Sequence, residues 1–153
     1  MHKIMFVCHG NICRSPMAEF LMKELVKKEG KQDEFIIKSS ATSYEEVGNP
    51  VHYGARKILN ARGIDCSNKR AVKLLASDYD KYDFFICMDK LNMRNIMRIF
   101  PNDDKSKCKM LLEFSNDNRD VLDPYWTGDF DSTLADIEKG IKAFYKFLTE
   151  KST

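Results

Sequence analysis

Residues 5 to 20 read MFVCHGNICRSPMAEF: Cys8 follows an apolar run, Arg14 stands six positions on, and Ser15 and Pro16 lead into a helix-like stretch. A thiol at the start of a loop that enters a helix meets several backbone N–H groups and the positive end of the helix dipole, and anions are favoured there. One such anion is a cysteine's own thiolate, because thiols at helix N-termini and beside arginine ionise more readily and become nucleophiles. A second is a phosphate: the planar fork of Arg14 matches two phosphoryl oxygens, a bidentate contact that lysine does not reproduce. The Ser15 hydroxyl can donate toward the thiolate and again toward the sulfur as it leaves. Gly10 permits close backbone approach, and Asn11 tolerates the left-handed conformation better than most residues. Taken singly, Cys8 reads as a core thiol and Arg14 as a surface charge. Together with Gly, Asn, Ser and Pro at these offsets they read as a site for phosphoryl transfer to a thiol, where catalysis is mostly positioning and electrostatics.

Such a loop needs a strand before it and a helix after it. KIMFV (3 to 7) reads as a buried strand; Ser15 is expected to cap the following helix with Pro16 in its first position, and Met17, Phe20, Leu21 and Leu25 share one face until Gly30. EFIIKSS (34 to 40) and VHYGARKILNARG, ending at Gly63, form a second β-α unit. DFFICM (83 to 88) and KLNMRNIMRIF, capped by Asp89, form a third. KMLLEF (109 to 114) is expected as a fourth strand, and STLADIEKGIKAFYKFL (132 to 148) as the last helix, with Leu134, Ile137, Ile141, Phe144 and Leu148 at helical spacing. Near-continuous strands alternating with amphipathic helices predict a three-layer, doubly wound parallel sheet with right-handed crossovers. Ligands of such sheets bind beyond the carboxyl ends of the strands, so Cys8 and Asp123, in VLDPYW, should share one rim.

Composition excludes several classes. The 153 residues, 43% apolar and 11% aromatic, suit one domain over 1–153. No apolar run approaches a membrane span, MHKIMFVCHG is too short for a secretory signal, and a cytoplasmic location is expected. Five cysteines at irregular spacing, with no Cys-x-x-Cys pair, indicate free thiols in a reducing compartment. Cys8, Cys13 and His9 lack the spacing of a zinc site, so no metal is expected. Neither a nucleotide-binding phosphate loop nor a dinucleotide fingerprint is present, and no cofactor is expected. A net charge of +2, from 25 basic and 23 acidic residues, does not mark a nucleic-acid binder. KELVKKEGKQDE and FPNDDKSKCK alternate in sign and read as solvated helix faces and loops.

VCHGNICRSPMAE resembles the active-site loop of the low-molecular-weight protein tyrosine phosphatases of the acid phosphatase type, with its Cys-x5-Arg-Ser core. The resemblance continues in order through SSATS (39 to 43), VGNP (47 to 50), DFFICMDKLN (83 to 92) and DPYW (123 to 126). It implies a four-stranded parallel sheet of flavodoxin-like winding and metal-independent, two-step hydrolysis of phosphomonoesters. By the same resemblance Cys8 attacks phosphorus and becomes a phosphocysteine. Loop amides from His9 through Gly10, Asn11, Ile12 and Cys13 to Arg14, with the Arg14 side chain, hold the phosphoryl oxygens. Asp123 protonates the departing phenolic oxygen and then serves as base for water. Ser15 and Ser39 hold the strained Asn11, and Asp89 matches an acid near the site, although a helix cap accounts for it equally well. Tyr125 and Trp126 wall the slot for an aromatic ring, Tyr44 and Glu45 belong to a loop facing the substrate, and Cys13 traps oxidised Cys8 as a disulfide.

The chain departs from the family pattern at Glu45, where a large aromatic is common, and at Arg62, read here as replacing a histidine that supports the Asn network. VHYG stands where the pattern has DPR. A thiol-dependent arsenate reductase of the same fold is the alternative, but Cys87 has no second redox cysteine nearby in sequence. A phosphoarginine-selective relative would carry Thr at Ile12. The expected partner is a phosphotyrosine-containing protein, with no nucleic acid or membrane, and the expected assembly is a monomer or weak dimer.

Overall fold

The computed structural model describes residues 1–151. Four strands, β1 (His2–Cys8), β2 (Phe35–Ala41), β3 (Phe84–Cys87) and β4 (Cys108–Met110), pair in parallel in the order β2-β1-β3-β4. Successive side chains of a strand point to opposite faces, and β1 is apolar on both. Ile4 and Phe6 pack with α1 (Arg14–Lys28), α2 (Tyr53–Ala61) and the last helix, while Met5 and Val7 pack with Leu74, Phe85, Ile96 and Phe100 on the other side. α3 (Lys90–Ile99) covers that second face; α4 (Pro124–Thr127) is a single turn, and α5 (Phe130–Lys151) closes the chain. This is the flavodoxin-like, three-layer α/β fold.

The apolar stripe of α5 is as expected: Leu134, Ile137, Ile141, Phe144 and Leu148 are all buried. Gly30 and Gly63 follow the ends of α1 and α2 with φ of 68° and 75°, the left-handed conformation that closes a helix. Two expectations fail. KMLLEF is a strand only to Met110, after which Leu111–Ser115 turns as a 3₁₀ helix; Leu111 and Leu112 are both buried, and Gly140 of α5 admits Leu111 so closely that a Cβ there would collide with it. α1 begins at Arg14, with Cys13 at its N-cap and no side-chain cap, so Ser15 lies inside the first turn.

β1 lies between β2 and β3, so the chain leaves β1 toward one side and returns on the other. The crevice opens beyond the carboxyl ends of β1 and β3. Cys8 is the last residue of β1, and Asp89 comes two residues after β3.

Candidate active site

Between β1 and α1 the chain turns around the Cys8 sulfur. The carbonyls of Cys8, His9, Ile12 and Cys13 accept from the N–H groups of Thr42, Ser43, His52 and Met17 at 2.8–3.1 Å. In a trans peptide the following N–H points opposite to the carbonyl, so the amides of His9, Gly10, Cys13 and Arg14 face into the loop. The Asn11 N–H reaches the sulfur itself at 3.3 Å, and the Ser15 hydroxyl lies 3.0 Å from it. The loop is therefore an anion cradle with the thiol inside it.

Asn11 makes this turn possible with φ of 59°, and its side chain is tied on every side. Its Oδ1 accepts from Val72 N–H at 3.1 Å, and its Nδ2 donates to Ser15 Oγ at 2.8 Å and Ser39 Oγ at 2.9 Å. Ser39 in turn donates to the buried Glu19 carboxylate at 2.5 Å. A Ser15 oxygen that accepts from Asn11 keeps its own proton free, and when the Cys8 sulfur is a thiolate, with no proton to give, the hydroxyl is the donor of that pair. Lys23 pairs with Glu19 at 2.5 Å, and Lys69 donates to the Ser39 carbonyl at 2.9 Å, 3.9 Å from Glu19. Burial pulls the Lys69 amine below its ordinary pKa, and Glu19 opposes that.

A hydrogen bond to a charged atom contributes about 1.5–3 kcal/mol, so Ser15→Ala should slow iodoacetate alkylation of Cys8 at neutral pH about ten- to a hundred-fold. An unchanged alkylation rate in that variant would show that the hydroxyl does not serve the sulfur.

Arg14 is 2% exposed. Its Nη1 donates to Asp89 Oδ2 at 2.6 Å and to the Val121 carbonyl at 2.8 Å, while Nη2 lies 3.5 Å from Asp123 Oδ2. Burial works against the guanidinium charge, but Cys8, Asp89 and Asp123 together outweigh it and raise its pKa above the ordinary value. Asp89 serves twice, because its Oδ1 also accepts from Asn92 N–H at 2.7 Å and caps α3. Asp123 Oδ1 accepts from Tyr125 N–H at 3.0 Å, capping α4.

Cys8, Cys13 and Arg14 line a cavity of about 470 Å³, together with Glu45, Glu46, Leu91, Tyr125 and Trp126. Gly10 and Ile12 also reach it, as does His9, whose Nε2 lies 2.8 Å from Glu45 Oε2 at the rim. Cys13 is buried, and burial together with the neighbouring Cys8 pushes its thiol far above the ordinary range; both cysteines are free thiols.

Some expected placements are not met. Tyr44 does not line the cavity: it is 70% exposed, with the Lys73 ammonium 4.9 Å over its ring. Arg62 is remote from the Asn11 network and pairs with Glu138 of α5 at 2.7 Å; Val72, Glu19 and Lys69 support the network instead. Asp103, read as part of a solvated loop, accepts from Tyr79 Oη and from the N–H groups of Lys107 and Cys108. Glu19 went unnoticed in the sequence, although it carried a signal: it falls with Met22 and Val26 on the buried stripe of α1, where an unpaired acid is not tolerated.

A thiol within an anion cradle at the crevice of a doubly wound sheet, with an arginine and a carboxyl group at its mouth, defines a cysteine-dependent phosphatase. The family model "Low molecular weight phosphotyrosine protein phosphatase" matches residues 3–153. Low molecular weight protein-tyrosine-phosphatase YfkJ of Bacillus subtilis is 35% identical over 142 residues, 92% of this chain and 91% of that one. The corresponding PtpA of Staphylococcus aureus strain MRSA252 is 41% identical over 132 residues, 86% and 83% of the two chains. The crystal structure of YfkJ superposes with a TM-score of 0.96 at 32% identity, covering 100% of this chain and 98% of that one. The low molecular weight protein tyrosine phosphatase SP-PTP of Streptococcus pyogenes gives 0.86 at 37% identity, covering 97% and 93%. This chain belongs to the low-molecular-weight protein tyrosine phosphatase family. Its activity is the hydrolysis of phosphotyrosine and aryl phosphate monoesters through a cysteine. The cysteines that an arsenate reductase would need are elsewhere: Cys87 is enclosed in β3 and Cys108 sits on β4, neither on the cavity.

Proposed function

We propose that Cys8, Arg14 and Asp123 carry this reaction in a single phosphatase domain over residues 1–153. The Cys8 thiolate attacks phosphorus, and the bond to the aryl oxygen breaks as Asp123 gives that oxygen its proton. The amides of residues 9 to 14 and the Arg14 fork take up the charge on the equatorial phosphoryl oxygens. Water then attacks the phosphocysteine, Asp123 takes its proton, and the P–S bond breaks to release phosphate and return the thiolate, to which Ser15 donates. Tyr125 and Trp126 flank the substrate ring, and Glu45 lines the same cavity. A phosphotyrosine-bearing protein in the cytoplasm is the fitting substrate, in keeping with five free cysteines. We take the enzyme to act as a monomer or weak dimer.

The observation that carries this reading is the position of the Cys8 sulfur, within reach of both Asn11 N–H and Ser15 Oγ and beside a buried arginine. Asp123→Asn tests it over a series of aryl phosphates. General acid catalysis contributes about 10²- to 10⁴-fold, so kcat/KM for phenyl phosphate should fall by about that much, and for 2,4-dinitrophenyl phosphate, whose leaving group needs no proton, far less. An equal loss on both substrates would remove Asp123 as the acid.

A further inference from the structure

VHYG stands outside the motifs that build the site, yet His52 touches both halves of it. Its backbone N–H donates to the Ile12 carbonyl of the phosphate loop at 2.8 Å. Its Nδ1 accepts from Gly54 N–H at 3.1 Å and caps α2, which leaves the ring proton on Nε2. The ring stacks on Phe130 with centroids 5.3 Å apart and planes at 17°, and meets Tyr125 edge-on at 5.9 Å. Phe130 lies close against the first turn of α2: a Cβ on Gly54 would collide with its ring. The four-residue α4 between these aromatics is too short to hold itself, and Leu122, Tyr125 and Trp126 are exposed. Asp123 is fastened to Tyr125 through its Oδ1, so whatever fixes Tyr125 also fixes the carboxyl group.

We propose that His52 is a positioning residue for the acid: its ring, held between Tyr125 and Phe130, locks the 123–130 segment to the phosphate loop. The inference rests on the reading of Asp123 as the proton donor. Through one residue, whose N–H holds Ile12 and whose ring holds the aromatics, the thiol and the carboxyl group keep a fixed separation. A displacement of even about 1 Å in such a constellation costs about 10²-fold in rate.

Two substitutions separate the ring from the cap. His52→Asn keeps a short acceptor for Gly54 N–H and loses the ring; His52→Phe keeps the ring and loses the acceptor. We expect His52→Asn to lower kcat/KM about ten-fold on phenyl phosphate and little on 2,4-dinitrophenyl phosphate. His52→Phe should retain the wild-type leaving-group dependence while melting at a lower temperature. Trp126 is the only tryptophan and rides on the same segment, so its fluorescence anisotropy decay should gain a fast component in His52→Asn and not in His52→Phe. Where Asp123→Asn does shift the leaving-group dependence, a wild-type dependence in His52→Asn overturns the proposal, whatever the anisotropy. Asp123→Asn serves as the reference: if it leaves that dependence unchanged, the error is in the choice of acid, and the anisotropy alone then decides whether His52 anchors the segment.

Discussion

Cys8→Ser should fold, bind inorganic phosphate and show no measurable turnover of p-nitrophenyl phosphate. The serine hydroxyl fits where the thiol sat, because the position is closed by Asn11 N–H and Ser15 Oγ and needs only one small polar atom. An alcohol, unlike a thiolate, is not an effective nucleophile without a base to take its proton, and among the described residues the sulfur's hydrogen-bond partners are an amide N–H and a hydroxyl, neither of them a base. Loss of a nucleophile from a concerted site costs at least about 10⁴-fold. Phosphate affinity depends on the inward amides and on Arg14, which the substitution leaves in place. Removing the thiolate also relieves repulsion against a dianion, so phosphate should bind at least as tightly as to the wild type in calorimetric titration. Residual turnover above background would take Cys8 out of the reaction.

Arg14→Lys should lower kcat/KM by about 10³-fold while leaving Cys8 open to alkylation. Loss of one donor to developing charge in an enclosed site costs about 10²- to 10³-fold, and this change also removes the planar fork. The guanidinium meets three fixed acceptors, Asp89, the Val121 carbonyl and Asp123, from two nitrogens. A single ammonium cannot face all three and also present a pair of parallel N–H groups to a phosphoryl group. The charge remains, so a steady-state assay beside a thermal melt separates lost catalysis from lost folding. A kcat/KM within ten-fold of wild type would mean that charge alone, not the fork, is what the site requires.

The sequence made the site's chemistry legible where one residue type has one use. A Cys and an Arg six apart around Gly and Asn permit few arrangements, and the strand before them and helix after them follow from apolar pattern alone. Ambiguity entered where one pattern suits two structures. KMLLEF is apolar throughout, and periodicity cannot tell a buried strand from a buried turn; the choice is made by α5, whose Gly140 draws Leu111 out of the sheet. Ser15 before Pro16 has the form of a helix cap, but the loop carries its helical turn back to Arg14 and turns the hydroxyl to the sulfur instead. The supports of Asn11 were hardest to foresee. Val72 contributes a backbone N–H, which no side chain advertises, Lys69 stands far from the loop in sequence, and Glu19, only eight residues after Asn11, acts through the distant Ser39. Asp89 satisfied both readings at once, since its two oxygens serve the cap and the guanidinium separately.

The four loop carbonyls engaged by Thr42, Ser43, His52 and Met17 have a consequence for how speed and robustness are linked. Because these neighbours hold the peptide dipoles in their final orientation before any ester arrives, reorganisation takes place during folding and not during each turnover. Catalytic proficiency is then inherited from the local rigidity of the residues flanking the loop, and loosening them should erode rate at temperatures well below global melting.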